Sequence, residues 1–130
     1  MDREELLLIK YGFNPDKGSR KEIRELIFNE IVNEKKLESH KCLRVLCFLL
    51  YLIGEKEDSE LIWQAKMLNM DAGCMIEAEL LCGAGYKETL CYLQSKSELE
   101  KIKNYIQKYV NPEINKDLVI DSYKSYYGIE

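Results

Sequence analysis

The residues of this chain with the greatest capacity for chemistry are five cysteines, one histidine and a concentration of carboxylates. Three of the cysteines, Cys74, Cys82 and Cys91, lie in the stretch DAGCMIEAELLCGAGYKETLCYL, residues 71–93. Zinc sites built from cysteine normally use closely spaced pairs of ligands. On a helix, Cys74 and Cys82 would lie about 12 Å apart along the axis, too far to share one ion. We therefore predict no metal site.

Nucleophilic chemistry by a cysteine is a second possibility. His40 and Cys42 are two positions apart, so on a helix their side chains point about 200° away from each other. The chain has no second histidine that could complete a cysteine–histidine arrangement. An odd number of cysteines without a regular framework is typical of a reduced, cytoplasmic protein. We predict that the thiols are free and serve as packing residues.

Acidic residues are concentrated between positions 55 and 79, where seven acids accompany two bases. The net charge of this segment is −5 and that of the whole chain is −4, so the remainder carries +1. A patch of this kind repels phosphate backbones and accelerates encounters with basic partners. The residues that we predict to bind a protein partner are Glu55, Glu57, Asp58, Glu60, Trp63, Asp71, Glu77 and Glu79.

Two alternatives for these acids stay open. They could form only a solvated acidic edge, with Trp63 at the rim of the core. They could also form the acidic cleft of a small hydrolase-type enzyme, in which carboxylates converge beside aromatic or basic groups that hold a substrate. The residues of such a cleft would be Asp58, Glu60, Asp71 and Glu77. We favour partner binding and predict no catalytic residue.

Signatures of phosphate and nucleic-acid binding are weak. The Gly-Ala-Gly segment at 83–85 follows a predicted helix instead of a strand and lacks a Walker lysine, so we do not predict a phosphate-binding loop. We interpret it as a helix stop whose small residues permit close packing. The mildly basic stretches 17–24 and 35–36 are nearly balanced by nearby acids, so we predict no nucleic-acid binding. Those acids are Glu22, Glu25, Glu30 and Glu34. We also predict no cofactor.

Tyrosine occurs nine times in the chain. It supplies rigid, amphipathic contact area and is enriched at interfaces. A self-associating structural protein, for example a homodimer, is therefore the alternative interaction role. Its surface would consist of Tyr105, Tyr109, Tyr123, Tyr126 and Tyr127. The same tyrosines could instead flank the core and dock the C-terminal tail.

The elements that position these residues are predicted to be helices. The scarcity of proline and glycine favours long helices, and no stretch alternates as a strand does. Helical spacing of apolar residues predicts helices over residues 3–10, 19–36, 39–53, 58–69, 72–82, 86–94 and 97–110. The helix at 39–53 is apolar on every side from Val45 onward, so it should be central and buried. Residues 113–130 are predicted to be a short helix or a docked or mobile tail.

Helix ends are predicted from capping residues. Ser19 with Glu22, and Ser97 with Glu100, have the spacing of a capping box. Gly54 is a predicted helix stop. The other predicted N-caps are Asp58 or Ser59, and Asp71.

Length and hydropathy indicate one domain of 130 residues. The longest apolar block, Val45–Ile53, is less than half of what spans a bilayer, and the acidic start MDREELLLIKYG is unlike a signal peptide. We therefore expect a cytoplasmic protein without membrane association.

The segments LLYLIGEKED (49–58) and LLCGAGYKET (80–89) share five identical residues, which indicates either helical-hairpin repeats or ordinary helix ends. The predicted fold is all-α, a compact bundle or a short HEAT-like array of stacked antiparallel helix pairs.

The segment SELIWQAKMLNMDAGCMIEAELLCGAGYKETLCYL, residues 59–93, resembles the small, acidic, all-helical immunity proteins of bacterial polymorphic-toxin systems. The resemblance covers an acidic helical hairpin with a glycine stop and includes no diagnostic motif, so no functional residue is carried over. It implies a non-catalytic inhibitor that binds a basic toxin domain through an acidic face. Complementary charge would then speed association, and aromatic anchors would slow release.

Overall fold

The computed structural model describes residues 2–37 and 39–129, and in this part of the chain it contains eight α-helices and no strand. The helices are α1 (Arg3–Tyr11), α2 (Arg20–Val32), α3 (Lys41–Ile53), α4 (Asp58–Lys66), α5 (Met70–Met75), α6 (Tyr86–Gln94), α7 (Glu100–Tyr109) and α8 (Lys116–Tyr127). Short 3-10 helices lie at Lys17–Ser19, Glu34–Lys36, Ala78–Cys82 and Ser97–Leu99. The all-α prediction is confirmed.

Helix α3 is the centre of the core. Every one of its residues is buried except Lys41, Arg44 and Leu52. A helix without a polar face is stable only when other elements surround it, and α1, α2, α4, α5 and the 3-10 helix Ala78–Cys82 all pack against α3. Gly54 ends it in the left-handed conformation, with φ 85°. The central buried helix and its glycine stop are therefore confirmed.

The Gly-Ala-Gly segment passes directly over α3. A Cβ atom on Gly83 would lie 2.9 Å from the carbonyl oxygen of Tyr51 and 3.1 Å from its Cα, closer than real side chains approach backbone. Only glycine fits this crossing without a shift of the chain. The small residues thus permit close packing, as predicted.

The predicted helix over 72–82 is wrong. Helix α5 ends at Met75, the chain is extended at Ile76, and a 3-10 helix follows. The cause is the buried ammonium of Lys66, which donates to the carbonyl oxygens of Gly73 (2.6 Å) and Ile76. A continuous helix would use both carbonyls internally.

Several predicted caps are also wrong. The side chain of Ser19 makes no capping bond, because its backbone is helical and not extended as at an N-cap, and Glu22 accepts from Tyr11 and pairs with Lys10. Ser97 opens a 3-10 helix and makes no side-chain cap. The N-cap of α5 is Asn69, whose Oδ1 accepts from the Ala72 amide at 2.8 Å. The predicted caps Asp58 and Ser59 lie inside α4, and Asp71 lies inside α5.

The C-terminal stretch contains the helix α8. Tyr123 is its buried residue, whereas Leu118 and Tyr126 are exposed. The ammonium of Lys116 donates to the carbonyl oxygen of Gly83 at 2.9 Å, which fastens the start of α8 to the glycine crossing. The alternative of a short helix is therefore confirmed for residues 116–127. Residue Glu130 lies outside the described part.

Across residues 2–37 and 39–129, no helix combines the length and the apolar character that crossing a membrane requires.

Candidate functional site

Three aromatic side chains on α4 and α7 form one continuous surface feature, which we call the aromatic row: Trp63, Tyr105 and Tyr109. The ring centroids of Trp63 and Tyr105 are 5.1 Å apart, and those of Tyr105 and Tyr109 are 4.6 Å apart. Tyr109 is 55% exposed, and the other two are half-buried. The structure thus joins two predicted sets, because Trp63 was assigned to the acidic patch and both tyrosines to self-association.

The aromatic row is bordered by charged groups. The ammonium of Lys108 lies 5.2 Å from the ring centroid of Tyr109. Burial raises the pKa of Tyr105, with smaller contributions from Tyr109 and from the nearby carboxylate of Glu79. Glu60 lies one helical turn before Trp63 and accepts a hydrogen bond from Tyr92 on α6. Two of the predicted acids, Glu60 and Glu79, therefore lie close to the row.

Asp58 does not belong to an exposed acidic face. Its side chain is 1% exposed and accepts from Arg20 Nε at 2.8 Å, from Arg20 Nη2 at 2.9 Å and from Arg24 Nη1. The bond to Asp58 raises the pKa of Arg20. Asp58 is therefore an internal ion-pair partner that joins α4 to α2, and its predicted exposure to a partner is wrong.

Glu77 is also engaged by other side chains of the fold, although 32% of its own side chain is exposed. Its carboxylate accepts from Arg44 Nε and Nη2, each at 3.1 Å, and from the hydroxyl of Tyr123 at 2.9 Å. Burial by itself would lower the pKa of Arg44, but the bonds to Glu77 and the neighbouring tyrosines raise it. Glu77 thereby ties α3 and α8 together.

Asp71 forms a polar chain with the single histidine. Its carboxylate lies 2.7 Å from Nδ1 of His40, and the other ring nitrogen of His40 lies 3.1 Å from Nδ2 of Asn69. An amide nitrogen only donates, so Nε2 accepts and the proton faces Asp71. Asn69 also donates to Glu34 at 2.9 Å. Both ring nitrogens are therefore engaged in hydrogen bonds within the fold.

The four carboxylates of the hypothetical catalytic cleft thus have four different sets of partners. Asp58 binds arginines of α2, Glu60 binds Tyr92, Asp71 binds His40 and Glu77 binds Arg44. The remaining predicted acids are Glu55, Glu57 and Glu79. Within the described residues these three have no recorded hydrogen bond or ion pair to another side chain, and they lie at least partly open to solvent.

The other predicted tyrosines divide in two. Tyr123 is buried and Tyr127 is half-buried, with burial raising the pKa of Tyr127 to about 12. Tyr126 is 64% exposed, and its ring meets that of Tyr127 edge-on with centroids 4.8 Å apart. The guanidinium of Arg44 lies 5.4 Å from the Tyr126 ring. Of the predicted self-association surface on α8, only Tyr126 is thus fully available.

The cysteines are free, but their environments differ. Cys42, Cys47 and Cys82 are buried, as expected for packing residues. Cys74 and Cys91 are exposed, so their assignment to packing is wrong. No group of three or more potential ligands among histidine, cysteine, aspartate and glutamate is arranged to hold a metal ion in the described ranges.

A cavity of about 560 Å³ lies between α1, α2 and α3. Leu7, Leu26 and Leu46 are among its lining residues, and the polar groups at its edge bind one another. Arg3 Nη2 donates to Glu30 at 3.4 Å. None of the residues predicted to bind a partner lines this cavity.

Sequence reasoning missed the partners that the predicted acids use. Arg20, Arg24 and Arg44 are separated from their carboxylates by about three dozen positions. The only available signal was general, namely that a charged residue inside an apolar helical stripe requires a counter-charge. Arg44 in the apolar helix α3 carries that signal.

Comparison of the chain with protein-family models, with curated proteins and with solved structures finds no match.

Proposed function

We propose that the protein is a non-catalytic protein-binding domain whose contact surface is centred on the aromatic row. The supporting observation is the contact of Trp63 with Tyr105 and of Tyr105 with Tyr109, in a row that is partly open to solvent. Tryptophan and tyrosine are the side chains that most often dominate binding energy at protein interfaces. Rings that already support one another also lose little conformational freedom on binding.

The exposed acids favour a basic partner. Glu79, close to the row, and Glu55 and Glu57, just before α4, form no ion pair or side-chain hydrogen bond in the described part of the chain. Fixed charges of one sign steer an oppositely charged protein and raise its association rate. The acidic face is smaller than the sequence suggested, since Asp58 and Glu77 are used inside the fold.

The more specific form of the proposal is an immunity-type inhibitor of a basic toxin domain. The three free acids would guide the toxin to the surface, and the aromatic row would hold it. Inhibition would follow from covering the cationic site of the toxin, and it needs no reactive group on the inhibitor.

The test takes as candidate partner any basic protein encoded beside this chain's gene and measures binding of the purified pair by calorimetry. Tyr109→Ala should weaken the complex about tenfold or more, as expected for an aromatic anchor. Tyr126→Ala removes a ring of similar exposure from α8, 64% against 55%, and should change the dissociation constant less than about twofold.

A second pair of variants tests the charges. The triple variant Glu55→Lys, Glu57→Lys, Glu79→Lys should slow association at low salt, because the steering charge is reversed. The matched control Glu88→Lys, Glu100→Lys, Glu113→Lys makes the same charge change at other exposed acids. Equal effects of the two triples would contradict the acidic-face mechanism, and loss of binding only with Tyr126→Ala would contradict the aromatic row.

Self-association remains the alternative proposal. Leu118 and Tyr126 are large side chains on α8 that stay 67% and 64% exposed. Light scattering over a wide concentration range separates the two roles. A mass that doubles with concentration and returns to that of a monomer in Leu118→Glu would favour the alternative.

A further inference from the structure

A concave basic surface lies at the beginning of α2, on residues that the proposed function does not use. We call it the basic cavity. Its volume is about 440 Å³, and its lining residues are Lys17, Gly18, Arg20, Lys21, Arg24, Glu25 and Phe28. The lining thus holds four cations and one carboxylate, in a protein whose net charge is −4. A local field of this sign attracts anions.

Three of the four acids that balance these cations along the sequence are directed elsewhere. Glu22 accepts from Tyr11 and pairs with Lys10 at 3.2 Å on α1. Glu30 pairs with Arg3 at 3.4 Å. Glu34 accepts from Asn69 at 2.9 Å. The acids close to the cavity in space are instead Glu25 in its lining, Asp58 bound to both arginines, and Glu55 and Glu57 near Arg20.

The two arginines of the basic cavity are held in place by a buried carboxylate. Asp58, 1% exposed, binds both guanidinium groups, and the side chains of Arg20 and Arg24 keep 35% and 32% of their surface open. Asp58 carries one negative charge against two fixed positive charges, and Glu55 and Glu57 act on Arg20 at longer range. Each guanidinium has five N–H donors, and the bonds to Asp58 leave donors uncommitted on both.

The cavity also has an apolar wall. Phe28 is 42% exposed, and its ring centroid lies 5.9 Å from the guanidinium carbon of Arg24. An exposed aromatic ring beside a cation offers a contact for the organic part of an anionic ligand. The combination favours a small organic anion over a bare inorganic ion.

We propose that the basic cavity binds the phosphate group of a small phosphorylated molecule. A phosphate ester carries close to two negative charges and several acceptor oxygens, which matches two guanidinium groups and two ammonium groups better than a single carboxylate does. The start of α2 adds the positive end of a helix dipole. The organic part of the ligand packs against Phe28.

The experiment measures binding of pyrophosphate and of adenosine monophosphate by calorimetry at low ionic strength, where screening is weak. The test variant is Lys17→Gln/Lys21→Gln. Neither lysine side chain forms a hydrogen bond or ion pair with the described residues, so the variant should keep the wild-type melting temperature. It should weaken both probes about tenfold. The control Lys35→Gln/Lys87→Gln removes the same charge from two exposed lysines outside the cavity and should weaken them less than about twofold.

A third variant tests the apolar wall. Phe28→Ser should weaken adenosine monophosphate several-fold and leave pyrophosphate binding unchanged. Absence of binding by the wild type, or equal weakening by the two lysine pairs, would overturn the proposal. It would also be overturned if a single-stranded oligonucleotide bound and neither small probe did, because the ligand would then be nucleic acid. The partner test on Tyr109 is independent of all these outcomes.

Discussion

The ring of Tyr123 lies flat on the ring of Phe48, with centroids 3.8 Å apart and planes 3° apart. The hydroxyl of Tyr123 donates to Glu77, and the guanidinium of Arg44 lies 4.5 Å from the ring centroid. One side chain therefore carries the apolar and the polar contacts that attach α8 to α3.

Replacing Tyr123 should separate these contributions. Tyr123→Ala removes a buried ring and should lower the free energy of unfolding by about 3–5 kcal/mol. Tyr123→Phe keeps the stack and loses one hydrogen bond, a change of about 1 kcal/mol. Urea denaturation followed by circular dichroism measures both. Tyr126→Ala serves as the control, because its exposed ring should contribute less than about 0.5 kcal/mol; a larger effect for Tyr126 than for Tyr123 would contradict the docking of α8.

Asp58 should be far more important for stability than its acidic neighbours. Asp58→Asn leaves Arg20 and Arg24 without their shared anion and should lower the free energy of unfolding by about 2–3 kcal/mol. This value is less than that for a fully buried pair, since both arginines are about one-third exposed. Glu57→Gln removes an exposed charge and should change it by less than about 0.5 kcal/mol. Thermal melts of the two variants side by side provide the comparison, and equal melting temperatures would refute the internal role.

The crossing of Gly83 over α3 should tolerate no side chain. Gly83→Ala places a methyl group 2.9 Å from the Tyr51 carbonyl oxygen, so backbone has to move and we expect a loss of about 1–3 kcal/mol. In Gly18→Ala the nearest atom to the new methyl is 3.6 Å away, an ordinary contact. The denaturant midpoints of both variants measure this difference. An unchanged midpoint in Gly83→Ala would mean that the backbone is not tightly packed at the crossing.

Stability should decline in alkaline solution. Burial raises the pKa of Cys42 to about 11 and the pKa values of Cys82, Tyr51 and Tyr127 to about 12, from ordinary values of 9.0 and 10.0. The unfolded chain then releases its protons first as the pH rises. The free energy of unfolding is therefore intact below about pH 8 and falls from about pH 9 toward pH 12.

Urea titrations at intervals between about pH 8 and pH 11 measure this decline. Tyr51→Phe removes one of the titrating groups and should make the fall shallower. Lys66 and Lys116, whose pKa values burial lowers, act in the opposite direction. A free energy of unfolding that stays constant or rises over this range would show that the lysines dominate.

The five thiols should fall into two classes in a labelling experiment. Cys74 and Cys91 are exposed and should react with Ellman's reagent within minutes in the native protein. Cys42, Cys47 and Cys82 are buried, and burial raises the pKa of each, so they should react only after unfolding. Mass spectrometry of the labelled protein identifies the sites. Rapid native labelling of Cys47 would contradict the buried position of α3.

The parts of the fold that could be predicted are those decided by local pattern. The helix over 39–53 was predictable because its run of apolar residues has no solvent face and ends at Gly54. The helix at 86–94 was also predicted with the observed bounds. Gly54 marks the end of the first helix and Gly85 the start of the second, and each glycine sets its boundary independently of what packs nearby.

The parts that could not be predicted depend on contacts between distant residues. The end of α5 is decided by the ammonium of Lys66, which no spacing rule places near Gly73 and Ile76. Asp58 had the sequence signature of a helix N-cap, but its carboxylate accepts hydrogen bonds from Arg20 and Arg24 of α2 instead. The aromatic row likewise arises only when α4 and α7 bring Trp63 and Tyr105 together. A linear count of acids could not distinguish the internal ones from those exposed to a partner.

Lys66 also has a consequence for the order in which the chain assembles. Helix α5 has six residues, too few to persist by itself in water. The carbonyl oxygens of Gly73 and Ile76 accept hydrogen bonds from the ammonium of Lys66, which is in position only once α4 has formed. The amide hydrogens of α5 should therefore exchange with solvent only when α4 also opens, so the two helices behave as one cooperative unit despite the bend between them.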